Sequence, residues 1–257
     1  MNTKFTLSDM NAACKAGDLA QIKYFHENGC PWNATTSENA AEGHLDCLIY
    51  LNENECPWSK WICIPAAKGH LDCLKYLHKN GCPWDEEVCV VAAEGHLECL
   101  KYLHKNGCPW DEEACVSAAR DHLDCLKYLI ENGCSWNSAT YLTAAKGHLD
   151  CLKYLHEQSL IKGGNGCPQI AAVYMSAACG HLDCLIYLHE QGVAQGKNRC
   201  PWDEDAYTNA ARGHLDCLKY LYEQSSTECK NGCPWDKSDC VHMAANHPEC
   251  LAYINDH

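Results

Sequence analysis

The stretch Gly69-His70-Leu71-Asp72-Cys73-Leu74-Lys75-Tyr76-Leu77-His78-Lys79-Asn80-Gly81-Cys82-Pro83-Trp84 returns, with edits, from one end of a 257-residue chain to the other. Its opening glycine serves as a ruler. It falls at Gly17, Gly43, Gly69 and Gly95; Asp121 stands in its place next, followed by Gly147, Gly180, Gly213 and Asn246. Steps of 26 residues give way after Gly147 to steps of 33, the seven extra residues entering each time ahead of a Cys-Pro. A fixed period of this size marks stacked supersecondary repeats rather than one or two globular cores. The chain therefore reads as a single repeat domain over residues 1–257. It has nine repeats, 26 residues long to about residue 147 and 33 residues from there to 246, with irregular first and last copies.

Within one repeat the punctuation reads helix, turn, helix. Asp85 precedes Glu86-Glu87 and the run Val88-Cys89-Val90-Val91-Ala92-Ala93. Its carboxylate is expected to accept from the free amides of a first helix. The glutamates then sit at the positive end of the dipole, and Trp84 staples onto Cys89. Asn33, Ser59, Asp111, Asn137, Asp203 and Asp236 hold the capping place elsewhere; Ile170 does not, so its repeat is expected to enter its first helix most weakly. Gly95 ends the first helix in the left-handed conformation, and Asp121 and Asn246 are expected to adopt it in their turns. The second helix, Leu71 to Lys79, places Tyr76, Cys73, Leu77, Leu74, His78 and Leu71 on one arc of roughly 220°. So short and so apolar a helix needs cover from the neighbouring repeats. Gly81 and Pro83 stop it. Tyrosines from Tyr24 to Tyr253 and tryptophans from Trp32 to Trp235 recur as two stripes, expected to be packing between repeats.

The formal net charge is −14. It argues against nucleic acid, whose binders carry a basic face, and against an anionic membrane. No apolar run of membrane-spanning length and no signal-peptide core is present. The 23 cysteines are odd in number and recur at set helical places, which suits reduced, buried thiols in a cytoplasmic compartment. A monomer is expected.

The run Ala-Ala-x-Gly-His-Leu-Asp-Cys-Leu-Lys-Tyr-Leu-His-x-Asn-Gly-Cys resembles the second half of an ankyrin repeat. The Pro-Trp-Asp continuation resembles the short ankyrin-type arrays of large DNA viruses and some protists. The later 33-residue spacing equals the ankyrin period. This resemblance implies an all-α, ankyrin-like solenoid that binds other proteins without catalysis, on a concave face lined by the first helices. Three departures stand out. Thr-Pro-Leu-His is replaced by Glu86-Glu87-Val88-Cys89, one residue is missing before the glycine, and the 26-residue repeats lack the length for hairpin fingers. Bare helix pairs are expected, with the seven-residue insertions in loops.

His70 and Cys73, or His78 and Cys82, have helical spacing but supply no Cys-x-x-Cys pair and no fourth ligand for zinc. A catalytic pair is singular and lies in a cleft; here the same pair recurs in repeat after repeat. No catalytic residue, metal ligand or cofactor is therefore assigned. Positions that drift between repeats are better guides. On the side of the first helices expected to be exposed these are Trp61, Ile64, Glu86, Glu87, Val90, Glu112, Glu113, Val116, Leu142 and Met175, with Ser117 and Ser176 beside them. Trp61 is the one tryptophan outside the stripe, and aromatics are favoured binding anchors. Pro65 is expected to shorten or kink its helix. The glutamates point to a protein partner with a basic segment. Two alternatives remain open at this point. One is a substrate adaptor for a ubiquitin ligase, which needs a segment outside the repeats; the other is a Cys/His metal or redox buffer.

Overall fold

The computed structural model describes residues 5–162, 171–194, 202–228 and 236–257. The described residues form helices and turns and contain no strand. The helices come in pairs: α1 Leu7–Ala16 with α2 Leu19–Glu27, α3 Ala34–Ala41 with α4 Leu45–Glu53, α5 Cys63–Ala67 with α6 Leu71–Lys79, α7 Glu86–Ala92 with α8 Leu97–Lys105, and α9 Glu112–Ala118 with α10 Leu123–Glu131. They continue with α11 Ser138–Ala144 and α12 Leu149–Ile161, α13 Ala171–Ala178 and α14 Leu182–Ala194, α15 Glu204–Ala210 and α16 Leu215–Glu228, and α17 Lys237–Met243 and α18 Pro248–Asp256.

Two compact units divide these pairs. One comprises residues 1–118 and 124–135; the other comprises 119–123 and 136–257. In the first, α1, α3, α5, α7 and α9 pack in succession, and α2, α4, α6 and α8 form a parallel series behind them. In the second, α11, α13, α15 and α17 pack likewise, backed by α12, α14, α16 and α18. Within each unit the described residues form an ankyrin-like stack of helix pairs.

The core repeats as the sequence does. Paired alanines such as Ala66-Ala67 and Ala92-Ala93 are fully buried and let first helices approach closely. Cys73, Leu74 and Leu77 are buried on the second helix, as are Cys99, Leu100 and Leu103 in the next repeat. Each buried leucine contributes about 2 kcal/mol of apolar transfer. Lys75 and Asp72 pair at 3.5 Å on the exposed side.

The aromatic stripes join repeats through a histidine. The ring of His78 lies on Trp84 at 4.0 Å between centroids and shares a 2.9 Å hydrogen bond with the hydroxyl of Tyr102 in the next repeat. His26 and His104 repeat the arrangement in the first unit; in the second, His189 keeps the hydrogen bond, to Tyr220, but meets Trp202 edge-on at 4.8 Å. Where Asn52 replaces the histidine, its amide donates to Tyr76 at 2.8 Å. Trp84 thus packs on His78 and edge-on to Tyr102.

Several expectations need correction. Asp85 and Asp203 have the extended N-cap backbone, yet neither side chain bonds a first-turn amide. Asp111 does cap, accepting from the Glu113 amide at 3.0 Å. Asn33 and Asn137 form a capping box with Thr36 and Thr140. Asp121 takes φ +84°, as expected, but Asn246 does not enter the left-handed region. His247 instead closes its turn on Ala244, three residues back, whereas His70 reaches four back to Ala66. The insertions do not begin as loops: α12 and α14 run 13 residues and α16 runs 14, against nine for α6. Gln158-Ser159 stands where Asn80-Gly81 ends α6, so the stop signal is gone and the helix continues. The remainder of each insertion, and the weak entry expected at Ile170, lie outside the described residues.

Candidate protein-binding face

The first helices of three successive repeats, α5, α7 and α9, each divide into two sides. Cys63, Ala66 and Ala67 face inward on α5; Val88, Cys89 and Ala92 do so on α7; Ala114, Cys115, Ser117 and Ala118 do so on α9. The opposite side carries the residues that vary. Ile64, Val90 and Val116 are half-buried and occupy equivalent places, which makes a shallow apolar row. Glu86, Glu87, Glu112 and Glu113 are exposed beside that row. Among the described residues none of these four carboxylates has an ion-pair partner.

Trp61 holds the place of Glu87 and Glu113 and is 45% exposed. It does not sit on a helix, as the sequence had suggested, but in the turn before α5. Pro65 lies at the third position of α5, where its missing N–H is no loss, and the helix is five residues long rather than the seven of α7. The shortened helix leaves the turn to be held by Ser59. Its hydroxyl accepts from the Trp61 amide at 3.1 Å and donates to Glu38 of the preceding repeat at 2.5 Å. Lys60 lies over one face of the indole, 4.2 Å from its centroid.

In the second unit, Leu142 on α11 and Met175 on α13 are half-buried at the place of Val90. Ser117 and Ser176, read as outward, are buried, and Ser117 donates to Glu94 at 3.3 Å. The sequence reading also passed over Tyr141, Tyr174 and Tyr207. They replace the inward cysteine of the first helix and donate to the carbonyls of Leu155, Leu188 and Leu221 at 3.0, 3.0 and 3.2 Å. The signal was present: the tyrosine appears in the repeats that carry seven extra residues, where the second helix is longer.

The histidines beside the turn glycines are engaged within the stack. His44 Nε2 donates to the Lys15 carbonyl at 3.0 Å, and the His70 ring lies against Gly43. Among the described residues no group of three or more His, Cys, Asp or Glu is arranged to hold a metal ion. No helix among them is long and apolar enough to cross a membrane.

No curated protein matches this chain. Two solved structures with low similarity are those of the pentatricopeptide repeat protein PPR10 in complex with an 18-nt psaJ RNA element, one with three cysteines changed to serine. Each has 11% identity and a TM-score of 0.37; 96% of this chain is covered, and the chain spans 47% of each of those chains. The family model for ankyrin repeats in three copies matches residues 62–140, 88–163 and 114–198, overlapping windows that together exceed half of the 257 residues. The helix pairs and this match agree: the chain belongs to the ankyrin-repeat family.

Proposed function

We propose that this chain is a non-enzymatic protein-interaction scaffold, and that the outward side of α5, α7 and α9 is its reading face. One observation carries the proposal. An exposed tryptophan and a half-buried aliphatic row stand beside four carboxylates that have no ion pair among the described residues. An apolar anchor beside unneutralised negative charge suits a protein segment that presents a hydrophobic side chain among lysines or arginines. On the second unit taken by itself, Leu142 and Met175 stand at the equivalent place on their helices and are the residues proposed to meet a partner there. The acidic balance favours a protein partner over RNA. The free cysteines suit a reducing, cytoplasmic compartment.

The test is affinity capture with the full chain against two variants, Trp61→Ala and a reversal of Glu86, Glu87, Glu112 and Glu113 to lysine. Both variants are expected to retain the thermal transition and to lose the same captured protein. The charge reversal should slow association most at low salt. Capture that both variants leave unchanged, or capture of RNA in place of protein, would refute the reading.

A further inference from the structure

The packed side of the same three helices holds a different feature. Cys63 Sγ lies 3.3 Å from Cys82 Sγ, both side chains buried. One repeat on, Cys89 and Cys108 share a hydrogen bond, and in the next Cys115 and Cys134 do so. Each pair joins the first helix of a repeat to the cysteine that follows its second helix. One repeat earlier the same contact is made by Ser37 and Cys56, hydroxyl to sulfur, also at 3.3 Å. In the second unit the first-helix member is Tyr141, Tyr174 or Tyr207 on α11, α13 and α15, and Cys240 on α17. In the first unit, where the second helices are short, packing alone calls for a small residue here, and Ser37 shows that a hydroxyl serves. The second sulfur adds redox chemistry.

The geometry points to a covalent modification site in each of three consecutive repeats: the pairs Cys63–Cys82, Cys89–Cys108 and Cys115–Cys134 close into disulfides when the protein meets a peroxide. A disulfide is about 2.05 Å long, so the sulfurs of the first pair need approach by only about 1.3 Å. The buried thiols of the second helices are poor nucleophiles; burial pushes Cys73 up to about 11. Cys82 and Cys134 differ, because the hydrogen bonds from Cys63 and Cys115 pull them below the ordinary thiol range, whereas in the middle pair the bond with Cys89 and burial push Cys108 up, so that pair should close most slowly. The Cys82 thiolate attacks one oxygen of hydrogen peroxide, becomes a sulfenic acid and releases hydroxide, which takes up the proton that Cys82 had lost. The Cys63 sulfur then attacks the Cys82 sulfur; the S–S bond forms, and the sulfenic hydroxyl leaves with the Cys63 proton as water. The pair gives up two electrons and two protons, and one peroxide becomes two waters. The inference stands apart from the binding reading, since the pairs close or fail to close whatever the outward face binds.

The experiment treats the native full chain with hydrogen peroxide, blocks remaining thiols with N-ethylmaleimide, and maps peptides by mass spectrometry without reduction. The expected result is three cross-links, 63–82, 89–108 and 115–134, all reversed by dithiothreitol, with Cys56 and Cys73 recovered as blocked thiols. The exposed Cys179 reports that oxidant was in excess. Cys63→Ser copies the Ser37–Cys56 contact and should remove the first cross-link alone. Wild-type mapping is decisive without that variant. Other pairings, oxidation of Cys56 as fast as Cys82, or six unreacted thiols beside an oxidised Cys179 would each overturn the proposal.

Discussion

At Gly43 two demands meet. Its φ is +110°, and a Cβ there would stand 2.7 Å from Nδ1 of His70 in the next repeat. Gly81 has φ +77° with open space around it. Gly81→Ala should therefore cost about 1–2 kcal/mol, the ordinary left-handed penalty. Gly43→Ala should cost at least about 1 kcal/mol more, because the His70 ring must also move. Denaturant titration of the two variants checks this; equal losses would mean that the ring contact is of no consequence. The backbone demand was legible, since Asp121 fills the same place. The ring contact was not, because the histidine that makes it belongs to the following repeat and no local pattern reports it. The same blindness applies to Ser117: its place on a drifting column reads as outward, yet its side chain is buried and donates to Glu94 of the preceding repeat.

Helix boundaries followed local chemistry wherever a stop signal was present. Asn80-Gly81 ends α6, and Pro65 shortens α5, as their residues imply. Where the signal is displaced, as at Gln158-Ser159, the helix runs on, and the insertion reads as a loop only if that loss is overlooked. The second unit also holds a buried imidazole on α12, His156, and half-buried ones in the turns before α14 and α16, His181 and His214. Burial lowers His156, and burial followed by the charges of neighbouring histidines lowers His181 and His214, below the ordinary value of about 6.5. The fold prefers these rings neutral. The unfolded chain takes up protons first, so their contribution is complete above pH 6.5 and is lost as pH falls through the folded values. Denaturant midpoints should fall between pH 7.5 and pH 5, and the His156 ring should titrate below 6.5 by NMR. A midpoint above 6.5 for that ring would contradict the account.

On the scale of the whole chain, period, helical class, acidic balance and family were all legible, because each is carried by many copies of one pattern. The proposed reading face was legible in part. Its glutamates are exposed as expected, whereas its aliphatic row is half-buried rather than exposed, and Trp61 stands in a turn that depends on a hydrogen bond to the preceding repeat. The thiol pairs were the least visible, since cysteines far apart in sequence meet only once the helices are packed. What binds the array is the neighbour-to-neighbour contact: paired alanines, buried leucines and the histidine–tyrosine bond. The most direct measurement is native-state hydrogen exchange of Leu100→Ala, a substitution of a fully buried side chain that should cost about 2–5 kcal/mol. Protection should fall most in α7 and α8, less in α5, α6 and α9, and least in α1 and α2. An equal loss of protection across every helix of the first unit would show a single cooperative core and contradict the account.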